Sequence, residues 1–325
     1  MVIRRSLPHI AVASRHDTMK KDLVSIADLS PDDVQHIIDT AVRLKAEHTA
    51  GNDAPLLRGK TLGMIFEKPS LRTRVSFEIA ALQLGGHALY LSPNEIQLGV
   101  RESIPDVARV LSRYVDAIMV RTFAHSNVKE LARYSSVPVI NGLSDFSHPC
   151  QALGDALTIY EKKGRLKGVT LAYVGDGNNV ANSLLMVASK VGMNISVATP
   201  AGYECNPVVV KTARDAARST GSEVLLTQSP AEAVRGADIV YTDVWASMGQ
   251  EAEREKRIQV FEPYRVDSDL LAHAAPDVLV MHCLPAHRGE EISGEVIDGP
   301  HSIVFDQAEN RLHVQKAILA LLMPC

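Results

Sequence analysis

Apolar residues in this chain fall in short runs, and stretches with helical spacing separate those runs along nearly its whole length. The runs at Thr61–Phe66, His87–Leu91, 117–120 and 137–140 read as buried strands. After Arg72 the apolar positions change spacing, with Val75, Ile79 and Leu82 on one helical face. Helical spacing also marks 104–114 and 127–134, and a long helix is expected over 149–162. Upstream, Asp28-Leu29-Ser30-Pro31 has the composition of a helix start, continued by Val34, Ile37, Ile38, Ala41 and Leu44.

The basic, glycine-flanked segment 163–168 interrupts this series and reads as a domain junction. A second alternating series follows, with strands expected at 169–174, 195–198, 223–226, 239–241 and 278–281. A short strand at 302–305 and a last helix over 307–322 complete it. Two series of buried parallel strands separated by helices predict an α/β protein of two doubly wound parallel-sheet domains joined by interdomain helices. The expected division is a leader at 1–18, a first domain at 19–163 and a second at 164–306. A terminal helix over 307–325 is expected to pack back on the first domain. The leader carries Arg4, Arg5 and Arg15 with no acid before Asp17. That composition suits a transit peptide, a disordered extension, or a start placed upstream of Met19.

Charge narrows the partners. With 34 basic and 38 acidic residues the net charge is -4, which speaks against nucleic acid. Aromatic residues are 5% of the chain, too few to suggest stacking platforms for bases. The cysteines Cys150, Cys205, Cys283 and Cys325 are far apart, which argues against a zinc ribbon or disulfide scaffold and fits a reducing compartment. No apolar run reaches the ~20 residues needed to span a bilayer.

Ligands of open α/β sheets bind at the carboxyl ends of the strands. That rule selects 67–73, 121–125, 142–151, 175–179, 242–248 and 282–288. In the first, Ser70 stands at a helix N-cap, with Leu71, Arg72 and Thr73 in the first turn. Unpaired backbone N–H groups, two hydroxyls and a guanidinium at one helix end form an oxyanion site, most simply for phosphate. A capped helix with solvated arginines is the plainer reading of the same residues. Arg121 ends a strand, and His148 and Gln151 flank Pro149 at another helix entry. A neutral imidazole and a carboxamide there suit a carbonyl and an amino group. Gly175-Asp176-Gly177-Asn178-Asn179 invites a dinucleotide reading, but Val180 stands where the third glycine belongs and no acid follows the next strand. Asp243, beside the only tryptophan, Trp245, suits an ammonium group. Cys283, next to His282, admits a metal ligand, a partly ionised thiol or an inert buried cysteine.

Taken in order, these segments resemble the aspartate/ornithine carbamoyltransferase family from about Asp22 onward, most closely its ornithine branch. The carbamoyl-phosphate signature is matched by Ser70-Leu71-Arg72-Thr73-Arg74, with Leu71 where threonine is usual. Gln97 in Ile96-Gln97-Leu98-Gly99, Arg121 and His148-Pro149-Cys150-Gln151 match the later motifs of that half. Asn179, Asp243 with Ser247-Met248-Gly249, His282-Cys283-Leu284-Pro285 and Arg311 match the amino-acid half. Relatives acting on aspartate differ at Cys283, and those acting on acylated ornithine or putrescine differ in the 243–249 loop.

The resemblance implies direct transfer of a carbamoyl group from carbamoyl phosphate to the δ-amine of L-ornithine, with no metal or organic cofactor. Carbamoyl phosphate would be held by Ser70, Leu71, Arg72, Thr73, Gln97, Arg121, His148, Gln151, Cys283, Leu284 and Arg311. Among these, Arg121, His148, Cys283 and Arg311 would act on the reacting atoms. Asn179, Asp243, Ser247 and Met248 would hold ornithine. Gln97 would reach a neighbouring subunit, which implies a homotrimer or an assembly of trimers; the expected location is the cytoplasm. The same site would serve arginine synthesis or citrulline breakdown. A non-catalytic anion-binding relative and a dehydrogenase are the rival classes.

Overall fold

A computed structural model describes residues 21–246 and 251–323. The leader lies outside the described residues, as do Ser247, Met248 and Gly249. The first half runs α1 (Pro31–Thr49), β1 (Thr61–Phe66), α2 (Leu71–Gln83), β2 (His87–Leu91), α3 (Pro93–Ile96), α4 (Ile104–Leu111), β3 (Ala117–Arg121), α5 (His125–Tyr134), β4 (Val139–Leu143) and α6 (Pro149–Lys163). The second runs β5 (Thr170–Val174), α7 (Asn179–Val191), β6 (Asn194–Ala198), α8 (Pro207–Thr220), β7 (Val224–Thr227), α9 (Pro230–Val234), β8 (Ile239–Thr242), α10 (Arg254–Phe261), α11 (Ser268–Leu271), β9 (Leu279–His282), α12 (Gly294–Ile297) and α13 (Val304–Leu322).

Two sheets result, ordered β2-β1-β3-β4 and β7-β6-β5-β8-β9, and every strand pair is parallel. The central strands are buried on both faces, which is why they read as continuous apolar runs rather than alternating ones. In each sheet the strand order reverses beside the first strand. The loops after β1 and β3, and those after β5 and β8, flank those switch points.

Capping fixes where the helices begin. Ser30 and Ser70 accept backbone N–H groups of Asp33 and Thr73, and Pro31 and Pro149 occupy first turns. The left-handed Gly164 closes α6 at the junction between the halves.

The two halves share one core. Leu62 and Phe66 of β1, Leu153 and Leu157 of α6, Leu171 of β5, and Val314 and Ile318 of α13 belong to a single buried cluster. The last helix packs against α6, α1 and α2, although it follows the second sheet in the chain. Here the sequence-based boundaries need correction. No strand forms at 302–305: Ser302 makes an isolated bridge to Val280, and the helix begins at Val304 rather than at 307. Val280 exchanges backbone hydrogen bonds with His301 and Ile303 only, so pairing stops after one bridge.

Candidate active site

Thr73, fully buried in the first turn of α2, is the hub of the first half-site. Its hydroxyl lies 2.9 Å from an Nη of Arg311 and 3.4 Å from an Nη of Arg121, and Ser70 donates to it at 3.1 Å. Arg121 arrives at the end of β3, Arg311 from α13, and Arg72 from the same turn of α2. The Nε atoms of Arg121 and Arg311 are buried and unpartnered, as are Nδ1 of His148 and Oε1 of Gln151. A buried N–H without an acceptor is costly, so this cluster is built for an occupant.

The charges point the same way. Burial, Arg311 and Arg72 draw the pKa of Arg121 down to about 9. Burial lowers that of Arg311 as well. Among the described residues no carboxylate pairs with Arg121, so an anion entering here replaces repulsion with attraction. His148 is held well below the usual imidazole range by burial, then by Arg311, Arg121 and Arg72. It is a neutral imidazole at pH 7, fit to donate to a growing oxyanion without adding a fourth cation. Its backbone N–H donates to Ser183 Oγ at 2.8 Å, which ties the helix entry to α7 of the second half.

The second half-site centres on Asp243 after β8. Its carboxylate accepts from Cys283 Sγ at 2.9 Å, Asn178 Nδ2 at 2.8 Å and Val244 N at 2.8 Å. Burial and Asp243 push the Cys283 thiol well above its usual pKa. This corrects the reading of a partly ionised thiol: in this state Cys283 is a protonated donor to a carboxylate. Asn179 is half-buried, and its Nδ2 donates to the Ser144 carbonyl across the halves at 2.6 Å. Leu284, with φ of 58°, turns the chain sharply after β9. Arg72 stands close enough to Cys283 and Asp243 for both to raise its pKa against the lowering by burial, so the two half-sites meet.

Not every expected residue converges. The Gln97 side chain is exposed at the left-handed end of α3 and takes part in none of these hydrogen bonds. Leu71 is 75% exposed, so only its backbone can serve the helix N-terminus.

Both sharper alternatives lose ground. Asp243, His282 and Cys283 have the proximity of metal ligands. However, His282 Nδ1 accepts from Leu284 N at 2.8 Å and Nε2 faces Glu291 at 3.1 Å, which leaves that imidazole no free lone pair. The dinucleotide reading needs open space at Gly177 for a pyrophosphate. A Cβ there would lie 2.4 Å from Cys205 N, so the glycine serves contact with the chain's own backbone.

Asp155, Gln307 and Asn178 belong to the site and were not singled out from sequence. Asp155 lies on the buried face of α6, and burial raises its carboxyl to about 7 despite hydrogen bonds from Gln151 and Gln307. A carboxyl raised above its unfolded value of 3.8 binds its proton more tightly in the folded state. Its stabilising contribution is full below that value and is lost as pH rises through about 7. The melting-temperature advantage of the native protein over Asp155→Asn should therefore shrink from pH 5 to pH 8. A gap that stays constant with pH would contradict this account.

Comparison with known proteins identifies the family. The family model described as the aspartate/ornithine carbamoyltransferase carbamoyl-P binding domain matches residues 21–161. The one described as the Asp/Orn binding domain of the same family matches residues 167–322. An ornithine carbamoyltransferase of Pyrococcus abyssi is 58% identical over 93% of this chain and 96% of its own length. One from Halalkalibacterium halodurans is 56% identical over 93% and 95%. The solved ornithine carbamoyltransferase of Pyrococcus furiosus superposes with a TM-score of 0.91 at 57% identity, covering 93% of this chain and 96% of that one. A mitochondrial ornithine carbamoyltransferase of Coccidioides immitis gives 0.86 at 38% identity, covering 93% and 97%. With both family models filled and both half-sites in place, the chain belongs to the aspartate/ornithine carbamoyltransferase family.

Proposed function

We propose that the chain transfers the carbamoyl group of carbamoyl phosphate to the δ-amine of L-ornithine, giving L-citrulline and phosphate. The observation that carries this reading is the meeting of two unlike half-sites. The guanidinium groups of Arg121 and Arg311 converge on Thr73 through Nη while each keeps a buried, unpartnered Nε–H, and the Asp243–Cys283 pair lies close to Arg72 on the other side. The first suits a dianion and the second an amino acid's ammonium group.

In this scheme Ser70, the Leu71 backbone, Arg72 and Thr73 grip the phosphate. Arg121 and Arg311 bridge it to the carbonyl oxygen. The δ-amine, with a free pKa of ~10.4, must lose a proton before it attacks. Its lone pair then forms the new C–N bond, and the carbonyl oxygen becomes an oxyanion held by His148 and the arginines. Collapse expels phosphate with the electrons of the C–O bond, and the second proton of the attacking nitrogen leaves with it as hydrogen phosphate, so no covalent enzyme intermediate is needed. Asn179 and Asp243, with Ser247 and Met248, would hold the α-carboxylate and α-ammonium. Holding both reactants in line supplies ~7–11 kcal/mol toward the barrier. No step calls for a cofactor.

The test is ureido product formation from carbamoyl phosphate with ornithine, N-acetylornithine, putrescine and aspartate side by side. Strong preference for ornithine is expected; preference for another amine would overturn the assignment around Asp243. Cys283→Ser should lower kcat by roughly 10–100-fold and raise the KM for ornithine, while carbamoyl-phosphate affinity changes little. Wild-type kinetics in that variant would remove Cys283 from the mechanism.

We also propose that Gln97 completes the site of a neighbouring copy in a homotrimer. Its exposure, and its absence from the hydrogen bonds of its own half-site, support this. Mixing Gln97→Ala protein with Arg72→Gly protein should then restore activity through hybrid trimers. Among the described residues no helix is long and apolar enough to cross a membrane. We place the enzyme in the cytoplasm, in keeping with its widely spaced cysteines.

A further inference from the structure

A chain of buried amides crosses between the halves behind the site. It begins at the backbone N–H of His282, at the end of β9 and next to Cys283. That group donates to Gln307 Oε1 at 2.9 Å. A backbone N–H can only donate, so the Gln307 amide has one allowed sense and its Nε2 must face the other way. Nε2 lies 2.7 Å from Asp155 Oδ1 and 3.0 Å from the Tyr241 hydroxyl. The same Oδ1 accepts from Gln151 Nε2 at 2.9 Å. Gln151 Oε1 is thereby left as a buried acceptor with no partner.

Every member is enclosed: Asp155 and Gln307 are 0% exposed and Gln151 is 1% exposed. The order of donors therefore cannot be reversed by water. Asp155 presents an acceptor to two amides at once, one from α6 and one from α13. This choice determines which end of the Gln151 carboxamide looks into the site. A carbamoyl NH2 is a donor, and it needs the oxygen end.

We propose that Asp155 is a positioning residue, holding the Gln151 amide so that Oε1 receives the carbamoyl NH2 and linking that alignment, through Gln307, to the strand end that carries Cys283. The inference rests on the carbamoyltransferase reading. It adds that alignment of the carbamoyl group in the first half depends on the placement of β9 in the second.

The test is a double-mutant cycle in the full-length protein. Asp155→Ala is expected to lower kcat roughly 30-fold while the Kd for carbamoyl phosphate stays within about threefold. Asp155→Asn keeps an oxygen acceptor and should retain kcat to within about threefold. In a Gln151→Ala background, Asp155→Ala should cost less than about threefold, because the group it positions is gone. A merely structural carboxyl would cost the same in both backgrounds, and that result overturns the proposal. So does full activity of Asp155→Ala. If the alanine protein does not fold, Asp155→Leu, of similar size and without an acceptor, carries the same expectations. Native protein that makes citrulline while the cycle is additive would refute this inference alone. Native protein that carbamoylates no acceptor would refute the functional reading beneath it.

Discussion

Arg72→Gly is expected to weaken carbamoyl-phosphate binding by roughly 10³-fold or more, the largest loss from any single change in the first half-site. A guanidinium at a helix N-terminus makes charge-assisted hydrogen bonds to a phosphate, each worth about 1.5–3 kcal/mol, and it usually makes two. Glycine removes both, along with the charge. The free protein should not suffer much. Arg72 is half-buried, and it is one of three neighbouring guanidinium groups that act on His148. Deleting one relieves part of that repulsion and offsets the helix penalty of glycine, about 1 kcal/mol. The melting temperature without ligand should therefore stay within a few degrees of native, while the rise on adding carbamoyl phosphate disappears. Isothermal titration with carbamoyl phosphate, paired with thermal melts, checks both. Undiminished affinity would remove Arg72 from the phosphate site.

His148→Ala should act on the other half of the rate expression. Its imidazole is neutral, and in the proposed reaction it would donate to charge that appears only as the carbonyl is attacked, so ground-state binding would gain little from it. Removing one such donor costs ~10²–10³ in kcat, with substrate affinities changed less than about tenfold. The pH profile separates this role from general acid–base work. An imidazole held far below its usual pKa stays unprotonated across the assay range. The acid limb of kcat/KM for ornithine should then follow the substrate amine in both native and His148→Ala proteins. A limb near pH 6 that vanishes in the variant would show that His148 titrates during turnover.

Much of this arrangement is legible in the chain itself. The strands were legible because both of their faces are buried, which concentrates apolar residues in runs such as Thr61–Phe66. Strand ends then selected Ser70, Arg121, His148 and Cys283. The segment at 302–305 misled because its apolar residues serve two elements. Ile303 returns a hydrogen bond to Val280, and Val304 already starts the last helix. Asp155 was hidden for a different reason. Its partner Gln307 lies 152 residues away, and no local rule connects an acid on one helix with an amide on another. A signal was present all the same, since Asp155 interrupts a stretch of α6 buried from Pro149 to Ile159. A carboxyl in such a place needs partners. The ionisation of Cys283 was equally beyond reach. Its direction is set first by how deeply the fold buries the thiol and then by Asp243, brought to 2.9 Å, and neither can be read from the local sequence.

The position of α13 sets an order of events during synthesis. Thr73, Arg121 and His148 leave the ribosome with the first sheet, but Arg311 follows after the entire second sheet has emerged. Until then the surfaces of α1, α2 and α6 that α13 covers have nothing from that helix over them. A nascent chain at that stage carries an apolar groove and an incomplete anion site. It is a natural client for a chaperone and a poor consumer of carbamoyl phosphate. The helix that seals the groove also delivers the last guanidinium, so competence to bind the reactive anhydride coincides with the end of folding.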